Sequence, residues 1–225
     1  MIRVSTTRVD GGPLFGAVAK DQWERFATPD RQNRVGFGNY CMLLEHSSGL
    51  ILVDTGPGDK DPADIDIAPI RSRSSMLRDL REKGIKPSDI SIVVLTHLRS
   101  EHAGGATHMT SSGRVLPTFN RAKYVVQQRA WDEACQPSER HYPYYRADDF
   151  LPLQDNHQLE LINGAKEIAK GVWVEPAPGP TSGHQMVIVD GLETTQAFLG
   201  VLVPTPMHLC MNVATAFDWD PDETT

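Results

Sequence analysis

The feature that most constrains the fold of this chain is a buried strand that runs directly into a polar, histidine-bearing loop. The strand is predicted over residues 90–95, an apolar and β-branched run that only Ser91 interrupts. The loop over residues 96–105 carries two histidines, an arginine and a glutamate, and it ends in a Gly-Gly pair. This pattern places several chemically active side chains at one strand end, which is typical of a functional site.

The rest of the chain alternates predicted strands with predicted helices. Because strands dominate, we expect an α/β fold: a single domain over residues 1–225, in which two sheets pack face to face and helices cover them. One hairpin is predicted around the turn His46-Ser47-Ser48-Gly49. Later strands and hairpins are predicted over residues 122–127, 159–169, 172–189 and 196–203.

Composition excludes several classes of partner. The 225-residue chain has 29 acidic and 22 basic residues and a formal net charge of -7, with no basic cluster, so we expect no nucleic-acid partner. No apolar run approaches the about 18 residues that cross a membrane, so we expect no membrane association. Three cysteines at irregular spacing, without a Cys-x-x-Cys pair, favour reduced thiols and a cytoplasmic location.

Four motifs occur in an order that resembles the metallo-β-lactamase superfamily. They are Asp54-Thr55-Gly56, the loop over residues 96–105, the segment Pro178-Gly179-Pro180-Thr181-Ser182-Gly183-His184, and the run over residues 198–205. The resemblance covers nearly the whole chain and looks strongest to the lactonase and small-ester hydrolase branch. It implies an αββα sandwich and, in ordinary members, two metal ions. The family pattern is His-x-His-x-Asp-His, in which close histidines bind zinc and leave open positions for water.

This chain departs from that metal-binding pattern at several positions. His97 and His102 match the first and last loop histidines, but Arg99 stands at the second and cannot ligate a metal. Glu101 replaces the loop aspartate and still offers oxygen. Two further ligand positions are Pro180 and Val201, which have no donor side chain.

The surviving donors disfavour a dinuclear site. We therefore expect no cofactor, and a remodelled single zinc on His97, Glu101 and His102 is the alternative. The family's last ligand usually lies beyond Thr225, so the resemblance implies a shortened C-terminal part or an incomplete sequence. A sheet edge left uncovered there would favour a homo-oligomer.

The substitutions compensate one another in charge. Removing metal cations leaves carboxylates without a counterion, which is unfavourable when they are buried. Val201 removes the bridging carboxylate, and Arg99 adds a fixed cation. We expect Arg99 to pair with Glu101 or Asp54 in a maintained, metal-free pocket.

Other residues are candidates for the substrate-binding wall of this pocket: Asp54, Tyr144, Tyr145, His184 and His208. Each also has an ordinary structural interpretation, as a loop-capping carboxylate, a packing aromatic or a core histidine.

Three functional hypotheses remain open. The first is a metal-independent, hydrolase-like enzyme on a small ester, lactone, thioester or polyketide-like molecule, which uses His97 or His102 as base, Glu101 as orienting partner and Arg99 as anion holder. The second is a non-catalytic protein that binds a small molecule or a protein. The third is a lactonase with the single-zinc site. Whether the chain is an enzyme is left open by its sequence.

Overall fold

The computed structural model describes residues 1–60, 70–71, 75–191, 193–211 and 213–225. Thirteen strands are present within these ranges: β1 (Ile2–Asp10), β2 (Arg34–His46), β3 (Gly49–Val53), β4 (Ile70–Arg71), β5 (Ile90–Val94), β6 (Thr107–Met109), β7 (Val115–Pro117), β8 (Lys123–Gln127), β9 (Leu159–Ile162), β10 (Lys166–Ala169), β11 (Val172–Pro176), β12 (Gln185–Asp190) and β13 (Thr195–Phe198).

The helices in the same ranges are short. They are α1 (Gly11–Phe15), α2 (Lys20–Trp23), α3 (Met76–Glu82), α4 (Ser100–Ala103), α5 (Gln128–Cys135), α6 (Ala147–Asp155), α7 (Pro206–Met211) and α8 (Pro221–Thr224). Single 3₁₀ turns occur at Pro87–Asp89, Gly104–Ala106 and Tyr142–Tyr144. None of these described helices has the length and apolar character to cross a membrane.

Two main sheets form the fold. The larger has seven strands in the order β4-β1-β2-β3-β5-β8-β9, and the smaller has four in the order β10-β11-β12-β13. The centre of the large sheet is parallel, since β3 pairs with β5, β5 with β8, and β8 with β9. Strands β6 and β7 form a separate antiparallel hairpin. The predicted α/β class with two packed sheets is confirmed.

Alternation along the central strands explains why the large sheet is buried on both faces. In β3, Ile51 and Val53 face the small sheet, where they pack with Val174 and Val187. Leu52 lies on the opposite face, in a core that includes residues of α3, α5 and α6. Successive side chains of a strand point to opposite faces, so an unbroken apolar strand serves two cores at once.

A buried ion cluster fixes the backbone that follows α4. The ammonium of Lys60 donates to the carbonyl oxygens of Gly104 and Thr107, and it lies 3.2 Å from Asp149. The other carboxylate oxygen of Asp149 accepts from Nε of Arg146 at 3.0 Å. The Asp149 side chain has no exposed surface. Two cations therefore share one buried carboxylate beneath the histidine-bearing loop.

We expect Asp149→Asn to lower the free energy of unfolding by about 3 kcal/mol or more, because it leaves both cations without a counterion in a buried place. The matched control is Glu160→Gln, which breaks the more exposed pair with Lys166 and should cost under about 1 kcal/mol. Urea unfolding curves measure both. Equal, small losses in the two variants would show that the cluster does not stabilise the fold.

Candidate active site

The candidate site lies where three strands of the fold end or begin. Asp54 follows the last residue of β3, Thr96 and His97 follow β5, and His184 immediately precedes β12. All four side chains are completely buried. The carboxyl ends of parallel strands share one edge of a sheet, and ligands commonly bind at that edge.

The carboxylate of Asp54 is the anchor of the site. Its Oδ1 accepts from the backbone N–H of Thr96 at 2.8 Å, and its Oδ2 accepts from the Thr96 hydroxyl at 2.9 Å. Oδ2 is also 2.6 Å from Nδ1 of His102. Asp54 has a left-handed backbone (φ 58°), a conformation that aspartate tolerates better than most residues. The turn after β3 thereby directs a charged side chain inward.

The hydrogen bonds of Thr96 fix the tautomer of His97. The hydroxyl of Thr96 has one hydrogen, which it donates to Asp54, so it can only accept from Nδ1 of His97, 2.9 Å away. Neutral His97 therefore carries its proton on Nδ1, and its Nε2 has a free lone pair. No described group hydrogen-bonds to this buried Nε2.

His184 has the same tautomer for a similar reason. Its Nδ1 lies 3.1 Å from the carbonyl oxygen of Ala177, which can only accept. Its Nε2 has no partner within the described chain, and it faces Gly200. A Cβ at position 200 would come within 2.6 Å of that nitrogen, so glycine is required where the chain passes the His184 ring.

Burial and neighbouring charges move the pKa values of these histidines in opposite directions. Burial lowers the pKa of His97 well below its usual range, and His102, His184 and Arg99 lower it further. Burial lowers the pKa of His184 to about 3. Burial opposes protonation of His102 as well, but the charge of Asp54 and its hydrogen bond raise the pKa of His102 above the usual value. The rings of His97 and His102 are 4.6 Å apart.

Arg99 lies inside the site, as predicted, but the predicted pairing with Glu101 or Asp54 is wrong. Its Nη2 donates to the carbonyl oxygens of Pro180 at 2.8 Å and Phe217 at 3.0 Å. The side chain is only 3% exposed, and its guanidinium lies 5.0 Å from the ring centre of Tyr144. Arg99 therefore connects the histidine-bearing loop to two other segments of backbone.

Glu101 does not contact Arg99 as an ion pair in the described structure. It belongs to α4 and is half-buried, and its negative charge contributes to the raised pKa of His102. The predicted role of Glu101 as the partner that orients a histidine belongs instead to Asp54, which makes that hydrogen bond directly. The two carboxylates lie on different elements. Asp54 follows the end of β3 and contacts His102 from outside α4, whereas Glu101 is the neighbour of His102 within α4.

The other residues predicted to line the pocket lie in two separate parts of the structure. Tyr144 covers Arg99 and meets Phe217 edge-on, and the hydroxyl of Tyr145 donates to Glu133. His208 lies elsewhere: its ring stacks on Phe15, and its nitrogens bond to Thr205 and the Leu14 carbonyl. These contacts place His208 in the core beside α1, so the structure does not bring it together with the other site residues.

Sequence reasoning missed several contributors to the site. The relay hydroxyl of Thr96 could have been found, because a threonine directly precedes the first loop histidine. The carbonyl oxygens of Pro180 and Phe217 carry no side-chain signal. They become visible only when the fold brings three segments together.

The donors present do not fit the two metal ions that the family pattern implies. The free Nε2 of His97 would suit a metal, but Arg99, Pro180 and Val201 supply no lone pair from a side chain at three ligand positions. Zinc in proteins takes about four ligands, of which at least three come from side chains. Among the described residues, no group of three or more His, Cys, Asp or Glu side chains is placed to hold a metal ion.

Comparison with known proteins defines the family. Residues 34–224 match the model of the metallo-beta-lactamase superfamily, and the chain belongs to that superfamily. The resemblance inferred from sequence motifs is therefore confirmed.

Similar sequences include N-acyl homoserine lactonases. One from Bacillus sp is 29% identical over 162 residues, which cover 67% of this chain and 58% of the relative. One from Bacillus cereus is 28% identical over 162 residues, with the same coverage. The chain thus spans less than two thirds of the length of these curated relatives.

Solved structures share the fold. A probable metal-dependent hydrolase from Staphylococcus aureus superimposes with a TM-score of 0.90 at 24% identity, covering 99% of this chain and 79% of the other. A quorum-quenching N-acyl homoserine lactone lactonase gives a TM-score of 0.74 at 23% identity, over 99% of this chain and 80% of the other.

We expect Arg99→Ala to lower the free energy of unfolding by about 2–3 kcal/mol, because two carbonyl oxygens lose a charged donor and the contact between the guanidinium and the Tyr144 ring is lost. The control is Arg121→Ala, which removes an exposed arginine and should change stability by under about 0.5 kcal/mol. Chemical unfolding measures both. If the two variants behave alike, Arg99 is not a structural cross-link.

The low pKa of His184 predicts acid sensitivity. The unfolded chain binds a proton at this residue below about pH 6.5, whereas the folded chain does not until about pH 3. The stability due to this residue is present above pH 6.5 and is lost as pH falls, by about 1.4 kcal/mol per pH unit. We expect His184→Asn, which keeps a donor for Ala177, to unfold with a shallower pH slope between pH 6.5 and 5. An unchanged slope would contradict this assignment.

Proposed function

We propose that this protein is a hydrolase of the lactonase type that opens a small lactone or activated ester by acid–base chemistry, without a metal ion. The observation that carries the proposal is the 2.6 Å contact of Asp54 with His102, next to a second histidine whose pKa moves the opposite way. Two neighbouring titratable groups with diverging pKa values are the usual basis of an acid and base pair.

The roles follow from the two protonation states. His97 is neutral and presents the lone pair of Nε2, so it serves as the general base toward a water molecule. His102 is kept protonated by Asp54, so it serves as the acid. Glu101 adds negative charge near His102 and supports the same state.

The reaction that suits these groups is hydrolysis of an ester bond. His97 takes a proton from water as the water oxygen bonds to the carbonyl carbon. The C–O bond of the ring then breaks, and His102 gives its proton to the leaving alkoxide. The product is a hydroxy acid, and the proton on His97 returns to His102 through solvent, which restores both groups.

Arg99 supplies positive charge for the developing oxyanion. Its Nε is buried and has no hydrogen-bond partner among the described residues, which supports a role in receiving a ligand oxygen. One guanidinium has a weaker field than two divalent ions. Lactones and activated esters therefore suit the site better than amides or phosphoesters, and the similarity to N-acyl homoserine lactonases supports the same substrate class.

A non-catalytic binding protein is the second candidate. The burial of His97 and His184 favours it, since a substrate has to displace the covering residues to reach them. A lactonase with zinc on His97, Glu101 and His102 is the third, because relatives of this fold include a dizinc lactonase.

Hydrolysis of an N-acyl homoserine lactone and of an aryl acetate by metal-analysed protein tests the proposal. We expect kcat/KM to be unchanged by a strong chelator and to fall as pH rises through the raised pKa of His102, which removes the acid. Asp54→Asn takes away the charge that raises this pKa, so the alkaline limb should move to lower pH. His102→Gln should lose about 10²-fold or more in rate.

Asp190→Asn is the control, because it alters an exposed aspartate of the small sheet and should leave the profile unchanged. Tightly bound zinc, together with activity lost to chelator and restored by zinc, would support the zinc candidate. Ligand binding without turnover would support the binding protein.

A further inference from the structure

We infer that residues 213–220 form an autoinhibitory strap, which closes the candidate active site on the side of Arg99. What the strap excludes rests on the proposed function, which gives Arg99 to the carbonyl oxygen of a substrate. The closure itself is seen in the described contacts. Arg99 is only 3% exposed, so a ligand reaches its guanidinium only after a covering segment has moved.

The strap occupies the guanidinium of Arg99 with a backbone carbonyl. Nη2 of Arg99 has two hydrogens, and it donates to the carbonyl oxygens of Phe217 at 3.0 Å and Pro180 at 2.8 Å. The neighbouring Nε is buried and has no partner among the described residues. Nε and Nη2 form the fork of N–H donors that binds both oxygens of a carboxylate. The Phe217 carbonyl therefore takes a donor that a ligand requires, as the carbonyl oxygen of an ester would.

Backbone hydrogen bonds attach the strap to the body of the protein on either side of that carbonyl. The N–H of Ala216 donates to the carbonyl oxygen of Pro13 at 2.8 Å. The N–H groups of Trp219 and Asp220 donate to carbonyl oxygens in residues 179–180, at 3.1 and 2.9 Å. The strap thus runs from the region of α1 to the loop that precedes His184.

A turn within the strap fixes the direction of Phe217. The carboxylate of Asp218 accepts from the N–H of Thr215 at 3.1 Å and from its hydroxyl at 2.6 Å. The oxygen of the same hydroxyl accepts from the N–H of Phe217 at 3.1 Å. One hydroxyl therefore holds the turn closed, and its removal should loosen the strap without touching Arg99.

The strap has few apolar contacts. The ring of Phe217 meets Tyr144 edge-on, with 6.3 Å between the ring centres. Trp219 is 38% exposed and lies 5.7 Å from the guanidinium of Arg129. No strap residue belongs to the apolar clusters that form the core of the described structure. A segment with few buried apolar contacts opens at a lower free energy than a core strand, so the strap can open while the sheets stay folded.

Amide hydrogen exchange measures this opening without any ligand. After correction for intrinsic rates, we expect the three hydrogen-bonded strap amides (Ala216, Trp219 and Asp220) to exchange at least about tenfold faster than a core amide. The reference is the amide of Leu95, which donates to the Val125 carbonyl in the central sheet. Equal protection would show that the strap opens only when the whole fold unfolds, and the inference would be wrong.

Labelling of arginine side chains with phenylglyoxal measures access to Arg99. The exposed Arg121 is the internal reference, and mass spectrometry of peptides gives the two rates. Phe217→Ala removes the ring that meets Tyr144 but keeps the backbone carbonyl, and Thr215→Val removes the hydroxyl of the turn. We expect each variant to raise the ratio of Arg99 to Arg121 labelling by up to about tenfold, the effect of one lost contact of this kind.

Matched controls make the same chemical changes elsewhere. Phe26→Ala removes a phenylalanine ring that is 70% exposed, and Thr195→Val removes an exposed hydroxyl of the small sheet. Both should leave the labelling ratio unchanged. Exchange of the Leu95 amide in each variant reports global unfolding. Arg99 labelling that rises only in proportion to Leu95 exchange, or that does not rise in either strap variant, would overturn the inference.

Hydrolysis of the aryl acetate separates failure of this inference from failure of the proposed function. Loosening an inhibitory strap should raise kcat/KM in both strap variants, whereas loss of a merely structural contact would lower it. Faster Arg99 labelling without hydrolysis in any variant would support the strap and reject the hydrolase. Hydrolysis by the unmodified chain, with unchanged Arg99 labelling in both strap variants, would reject the strap and support the hydrolase.

Discussion

The buried carboxylate of Asp54 is the interaction on which the candidate site depends. A carboxylate without exposed surface must be compensated by several hydrogen bonds or by a cation. Asp54 obtains two bonds from Thr96 and one from His102, so it ties the end of β3 to the end of β5 and to α4. Any rearrangement of these three segments would leave the charge unsatisfied. The positions of His97, which bonds to Thr96, and of His102 follow from this constraint.

Arg99 shows how a cation of different chemistry changes the partners that a site requires. A metal ion accepts lone pairs, so its neighbours are imidazoles and carboxylates. A guanidinium only donates hydrogen bonds, so its neighbours must be acceptors. The side chain of Pro180 cannot bind a metal ion. The backbone carbonyl of the same residue accepts a hydrogen bond from Arg99. Position 180, where the family pattern has a metal-binding side chain, can therefore lose that side chain and still help to hold the histidine-bearing loop through its backbone carbonyl.

The sequence predicted what is encoded in side-chain patterns and missed what depends on backbone atoms. Alternating and continuous apolar runs identified the central strands, and the position of Asp54 and His97 at strand ends placed them together. The partners of Arg99 could not be predicted, since carbonyl oxygens of Pro180 and Phe217 leave no trace in residue type. His208 was misplaced because its neighbours Phe15 and Leu14 come from the other end of the chain. The tautomer of His97 likewise required the geometry of the Thr96 hydroxyl.

Charge balance explains why the three clustered imidazoles cannot behave alike. One carboxylate, Asp54, lies among them, while Arg99 brings a permanent positive charge. A second imidazolium at His97 would face two cations, His102 at a ring separation of 4.6 Å and Arg99, and only one buried anion. Protonation is therefore favoured at His102, which touches the carboxylate, whereas the pKa values of His97 and His184 are lowered. The same electrostatics thus moves the pKa values of two adjacent histidines in opposite directions.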